Sequence, residues 1–149
     1  MPIKFLTPSN AIELFKPDDS TPHPIALASE GISAGFPSPA EDHNEQKISL
    51  DKVLVKNKEA TFYAKVSGQS MIGAGLDDGD LLIVDRSQNP EHNKIAVCFI
   101  DGEFTVKRLK VTTEGVFLIP ENPKYHPIKV TEENDLIIWG IVTYVVKKL

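Results

Sequence analysis

The 149-residue chain holds a single cysteine, Cys98, so no disulfide can close within it and nothing in it calls for an oxidising compartment. Cys98 sits in the apolar run 95–100 and reads as a small core residue. No apolar stretch approaches the roughly 20 residues of a helical membrane span, and the opening MPIKFLTPSN lacks the apolar centre of a signal peptide. The expectation is a cytoplasmic protein without a membrane anchor. Basic charge is also scarce: 16 Lys and Arg stand against 21 Asp and Glu, a net charge of −5. Duplex DNA binding usually needs a basic face, so direct sequence-specific DNA binding is not expected. The one dense basic patch is Lys107, Arg108 and Lys110.

Metal and phosphate motifs are missing as well. His23, His43, His92 and His126 are far apart in sequence, and one cysteine makes no zinc spacing. Gly68, Gly73, Gly75 and Gly79 are not followed by the Gly-Lys-Ser/Thr of a phosphate loop. The turn Asp77-Asp78-Gly79-Asp80 lacks the later glutamate of a calcium loop. No cofactor and no metal are expected.

What the sequence does have is unevenly placed. Of its 11 prolines, those at 2, 8, 17, 22, 24, 37 and 39 crowd the first 40 residues. Proline removes a backbone donor and is poorly tolerated in helix interiors and central strands, so this stretch reads as an extended arm outside any packed layer. The short apolar cluster 11–15 (AIELF) could make a helical turn or dock as a strand. From about residue 48 the pattern becomes one of β formers between turns. Segments 60–66, 79–85, 94–100, 103–111, 115–119, 128–130 and 135–146 are the expected strands. Asp101-Gly102 is the strongest hairpin signal, and Gly140 is a candidate bulge. The fold class is mainly β, a sandwich-like or barrel-like body without a long helix.

Two residues could carry chemistry. Ser70, in Ser67-Gly68-Gln69-Ser70-Met71, follows a strand directly and precedes Gly73 and Gly75. A strand that breaks into a tight turn exposes a side chain and turns backbone N–H groups outward, which suits a nucleophile beside an oxyanion site. Taken alone, a polar turn explains the same residues. A serine needs a base, and no histidine is marked as one. A buried lysine can serve, because desolvation disfavours the ammonium. In a strand over 103–111, Lys107 shares its face with Thr105, Leu109 and Val111, although a surface lysine with a packed stem fits that pattern too.

Taken together, these pieces resemble the LexA/UmuD family of self-cleaving serine–lysine peptidases. The residues that carry the resemblance are Ala34-Gly35-Phe36-Pro37-Ser38-Pro39-Ala40, Ser67-Gly68-Gln69-Ser70-Met71-Ile72, and Asp78-Gly79-Asp80-Leu81-Leu82-Ile83-Val84-Asp85. Further along come Asp101-Gly102-Glu103-Phe104-Thr105-Val106-Lys107-Arg108-Leu109 and Ile119-Pro120-Glu121-Asn122. The resemblance covers 35–149 and is closest to the UmuD-like members, because only a proline-rich arm of 34 residues precedes Gly35 where repressors carry a DNA-binding domain. Two features depart from that pattern: the bond is Ala-Gly where the best-known UmuD has Cys-Gly, and the arm is somewhat longer.

The resemblance implies a LexA/UmuD-type C-terminal peptidase domain behind an extended N-terminal arm. It implies self-cleavage at Ala34–Gly35 by Ser70 with Lys107 as base, and an oxyanion held by the amides of Ser70 and Met71. Residues 1–34 would be removed, and 35–149 would remain as the peptidase and dimerisation domain. It further implies stimulation by RecA filaments on single-stranded DNA, a homodimer, and a Y-family (UmuC-like) polymerase partner in error-prone translesion synthesis during the SOS response. Other readings are a non-catalytic regulatory module of a polymerase, a truncated LexA-type repressor, and a type I signal peptidase. The acidic arm argues against the repressor. The missing anchor and Ile72 after Ser70-Met71, where a proline would be usual, argue against the signal peptidase.

Overall fold

The β-branched and aromatic segments all become strands in the computed structural model, which describes residues 12–17, 25–28, 34–35 and 45–149. The elements are β1 (Ile12–Phe15), β2 (Ile25–Ala28), β3 (Glu45–Ile48), α1 (Leu50–Leu54), β4 (Thr61–Val66), β5 (Leu81–Asp85), β6 (Ile95–Ile100), β7 (Glu103–Thr112), β8 (Gly115–Ile119), β9 (Ile128–Lys129) and β10 (Leu136–Val146). The chain divides into two compact units. One is Met1–Pro17 with Asn57–Leu149, and the other is Asp18–Lys56.

In the first unit eight strands form one antiparallel sheet in the order β1-β4-β5-β10-β6-β7-β8-β9. No ladder joins β1 to β9 among the described residues, so the hydrogen bonding is that of one open sheet rather than of a closed barrel or two stacked sheets. Both faces of its centre are covered. Successive side chains of a strand point to opposite faces. On β6, Val97 enters a core with Leu14, Phe62, Ala64, Leu82, Val84, Val106 and Trp139. Its neighbours Ala96 and Cys98 enter a second core with Ile100, Leu109, Leu118 and Ile141. A strand buried on both sides reads as a continuous apolar run, which explains the sequence of β6.

The hairpin joining β6 and β7 is the two-residue turn that the sequence marks. Ile100 pairs with Glu103. Asp101 and Gly102 have φ of 49° and 86°, the left-handed pair whose twist suits a β-hairpin. The expected bulge also occurs, since the β10–β6 register shifts between Ile138 and Gly140.

The arm departs from expectation. Ile12–Phe15 docks as the edge strand of the main sheet, with Leu14 opposite Ala64 and only 5% exposed. The cluster thus takes the strand docking that the sequence left open beside a helical turn, and for these four residues the reading of an arm outside any packed layer is corrected. The physical reason is that an edge strand needs ladder donors on one side only, and the proline-free stretch before Pro17 supplies them. Ala11 and the block 36–40 lie outside the described residues. In the second unit β2 pairs antiparallel with β3, Ile25 opposite Ile48 through Ala28 opposite Glu45, and α1 follows. The sequence reading had not marked these three elements.

Candidate active site

Ser70 lies in the loop that follows β4. Its base is closed where the Val66 amide donates to the Asp80 carbonyl (2.9 Å) and the Gly79 amide to the Val66 carbonyl (2.8 Å). Inside the loop, the amides of Ala74 and Leu76 both donate to the Met71 carbonyl, at 3.0 and 3.2 Å. Met71 and Leu76 are buried and anchor the loop in the core. Ser70 therefore sits one residue from a fixed point, which limits how far its hydroxyl can wander.

A second segment braces the same turn from the other side. The Glu121 amide donates to the Ser70 carbonyl (2.8 Å), and the Gly73 amide donates to the Glu121 carbonyl (2.7 Å). The buried Asn122 donates its side-chain amide to the Gln69 carbonyl (2.8 Å). Arg108 pairs with Glu121 and donates to the Asn93 carbonyl (2.6 Å). Among the described residues, the amides of Ser70 and Met71 donate to no protein acceptor. The brace thus takes the carbonyl of the serine and leaves its N–H side open, the arrangement an oxyanion site requires.

Gly73 is needed at this contact. A Cβ there would stand 2.6 Å from the Glu121 carbonyl oxygen, which is backbone and cannot swing away. Gly73→Ala is expected to push the two segments apart, costing about 1–3 kcal/mol of stability through overpacking. The hydroxyl of Ser70 should lose its alignment as well. A denaturant melt together with a self-cleavage assay measures both effects.

Lys107 comes from the middle of β7, opposite Ala96 of β6. It is 7% exposed, and its Nζ lies 3.1 Å from Ser70 Oγ, 2.7 Å from Thr105 Oγ1 and 3.1 Å from the Val106 carbonyl. Burial holds the Lys107 ammonium below its ordinary pKa, with the thiol of Cys98 acting weakly in the other direction. Burial pushes Cys98 itself up to about 12 despite the Lys107 charge, so this thiol stays protonated and chemically quiet. Beside Ser70 lies a cavity of about 40 Å³ lined by Val66, Met71, Leu76, Thr105 and Val106. Its apolar walls, Val66, Met71, Leu76 and Val106, suit a small apolar side chain.

The fold thus brings Ser70, Met71 and Lys107 together. Ala34 and Gly35 lie in the other compact unit, where both are exposed and sit at a bend. The basic patch is dispersed: Lys107 is buried, Arg108 is paired with Glu121, and the Lys110 ammonium stands 5.8 Å over the Phe117 ring. The acidic turn is used internally. Burial pushes the Asp80 carboxyl up, but its bonds from Lys147 and the Asp77 amide outweigh this and hold it below the usual value. Asp78 accepts from the Gly68 amide (2.8 Å). Sequence reasoning assigned no role to Asn122 or to the Arg108–Glu121 pair, since nothing local links them to a serine some fifty positions away.

Comparison with known proteins identifies relatives of this chain. Residues 26–143 match the family model described as Peptidase S24-like. The chain is 39% identical over 137 residues to protein ImpA of Salmonella typhimurium, covering 88% of each chain. It is 40% identical over 123 residues to protein MucA of Escherichia coli, covering 82% of this chain and 84% of that one. It is 41% identical over 117 residues to the LexA repressor of Photorhabdus laumondii, covering 78% of this chain and 58% of that repressor.

Proposed function

Since this chain belongs to the Peptidase S24-like family, we propose that it cuts its own backbone between Ala34 and Gly35 with Ser70 as nucleophile and Lys107 as base. The observation that carries this reading is the 3.1 Å approach of a buried lysine to the serine hydroxyl. A neutral amine has two N–H groups and one lone pair. Thr105 Oγ1 and the Val106 carbonyl can take the two N–H groups, at 2.7 and 3.1 Å, leaving the lone pair for the Ser70 proton.

The steps follow from that arrangement. Ser70 Oγ passes its proton to Lys107 Nζ and forms a bond to the Ala34 carbonyl carbon. The resulting oxyanion accepts hydrogen bonds from the amides of Ser70 and Met71. Collapse breaks the bond to Gly35, and the Lys107 ammonium returns the proton to the departing amine. Lys107 then takes a proton from water, and the hydroxide releases Ala34 as a carboxylate and restores Ser70. The largely apolar cavity beside Ser70 supports a small apolar residue such as Ala34 at the acyl position. Tethering gives the scissile bond a high effective concentration, so a trigger is needed to time the cut.

The wider role in this proposal is that of the UmuD-like proteins. Cleavage is stimulated by RecA filaments on single-stranded DNA, and the trimmed dimer serves a Y-family, UmuC-like polymerase in SOS mutagenesis. The similarity to ImpA and MucA supports this role, and the exposed apolar end of β10, Tyr144 to Val146, supports self-association. No helix among the described residues is long and apolar enough to cross a membrane. The test is to incubate the purified chain at alkaline pH and weigh the products. The expected result is a 34-residue fragment and a 115-residue remainder (149 − 34). A cut at any other bond overturns the site.

A further inference from the structure

The outer edge of β4 is the strongest feature that the proposed peptidase chemistry leaves unused. In the uncut chain β1 covers that edge, pairing Ile12 with Val66, Glu13 with Lys65, Leu14 with Ala64 and Phe15 with Tyr63. Leu14 completes the apolar core beside Phe62, Ala64 and Val66. Lys16 finishes the contact, its ammonium lying 4.2 Å over the Phe62 ring and 3.1 Å from the Glu59 carbonyl. All of β1 lies on the N-terminal side of Ala34–Gly35.

We propose that the β4 edge is a strand-acceptor site, filled in the uncut chain by residues 12–16 and opened by self-cleavage to an extended segment of a partner polypeptide. The timing rests on the cleavage reading; the site itself exists in the uncut chain. The covering segment shows what the site takes. The occupant runs antiparallel to β4, places a leucine opposite Ala64, and carries a lysine or arginine two residues later over Phe62. Strand addition draws affinity from the main chain and specificity from alternate side chains, which is the division of labour seen here.

Cleavage weakens the cover for a physical reason. While the chain is whole, β1 is tethered to β4 through residues 16–60, and the tether makes their pairing intramolecular. The bond Ala34–Gly35 lies in the connection between β2 and β3, which among the described residues pair with each other and with no other strand. A two-stranded ladder is marginal in water once its connection is gone. After the cut no covalent bond holds the fragment, its described ladders are two of four residues each, and a competing strand can displace it from β4. Trimming also removes the strand that covers the outer side of β4, and an uncovered sheet edge readily recruits another strand.

The experiment avoids cleavage altogether by working in full-length Ser70→Ala protein. A fluorescently labelled synthetic peptide AIELFKP, residues 11–17, is titrated against Ser70→Ala and against Ser70→Ala/Leu14→Asp, in which β1 cannot dock. Binding at least tenfold tighter to the double variant is expected, and it should vanish when the peptide carries the same Leu→Asp change. A Ser70→Ala/Lys16→Ala chain, which leaves the core untouched, should give the same ordering with a smaller gain and covers the case in which Leu14→Asp does not fold. Equal binding to all three chains, or binding to none, overturns the proposal. Peptide-insensitive dimers of the double variant also overturn it, in favour of strand exchange between copies. Because none of these proteins can cut through Ser70, failure here is distinct from failure of the cleavage reading, which the product masses decide.

Discussion

Ser70→Ala is expected to stop release of the 34-residue fragment, and Lys107→Ala to slow it sharply, with both variants still folded. Removing the hydroxyl removes the atom that would form the acyl bond, so no slower version of the same route remains. Removing the amine leaves a serine whose proton has no acceptor; general-base assistance is worth about 10²–10⁴ in rate, and a loss of that size is expected. Lys107→Arg separates base chemistry from charge and packing. A guanidinium stays protonated at any working pH, so the arginine variant should cut no faster than Lys107→Ala. Mass spectrometry of timed samples reads all three variants. Cleavage at Ala34–Gly35 at the parent's rate in any of them would remove the dyad from the account.

The rate of self-cleavage should climb with pH and then level off below the ordinary lysine value. Only neutral Lys107 can accept the Ser70 proton. Below its native pKa the neutral fraction, and with it the rate, rises about tenfold per pH unit. Burial holds that pKa below 10.5, so the plateau arrives earlier than for an exposed lysine. Stability carries the matching signature. Between the depressed native pKa and the unfolded value the unfolded chain binds more protons, so stability contributed by this group rises with pH across that window. Below the native pKa both states are charged, and the folded protein bears the full cost of a buried ammonium. Lys107→Met removes that cost, and the variant should be more stable than the parent at neutral pH by roughly 1–4 kcal/mol. The advantage should shrink as pH rises toward about 10.4, where the unfolded lysine titrates. Denaturant melts of both proteins across pH 6–10 measure it, and a constant or widening gap would contradict the assignment.

Much of the sheet is legible locally. β5, β6, β8 and β10 follow from β-branched runs between turn residues, because a strand's period and composition are properties of a few neighbours. The Asp101-Gly102 hairpin follows from the positive φ that its turn demands. Proline counts describe the arm as a whole stretch, whereas docking of β1, one of the two outcomes open for residues 11–15, depends on a few proline-free residues meeting a distant edge. β2 and β3 carry no comparable local signal. Arg108 and Asn122 look like ordinary polar residues until Glu121 and Gln69 are brought to them.

The sequence by itself determined strands β4 to β10, the tight hairpin, the bulge at Gly140 and, through its resemblance, a serine, a lysine and an Ala-Gly bond worth watching. Only the tertiary structure decided that β10 inserts between β5 and β6, that the loop after β4 is braced by Glu121 and Asn122, and that Lys107 Nζ stands 3.1 Å from Ser70 Oγ. The reason is physical. A strand is specified by the residues along it, but a lysine's proton affinity is set by whatever packs around it, and those partners come from distant parts of the chain.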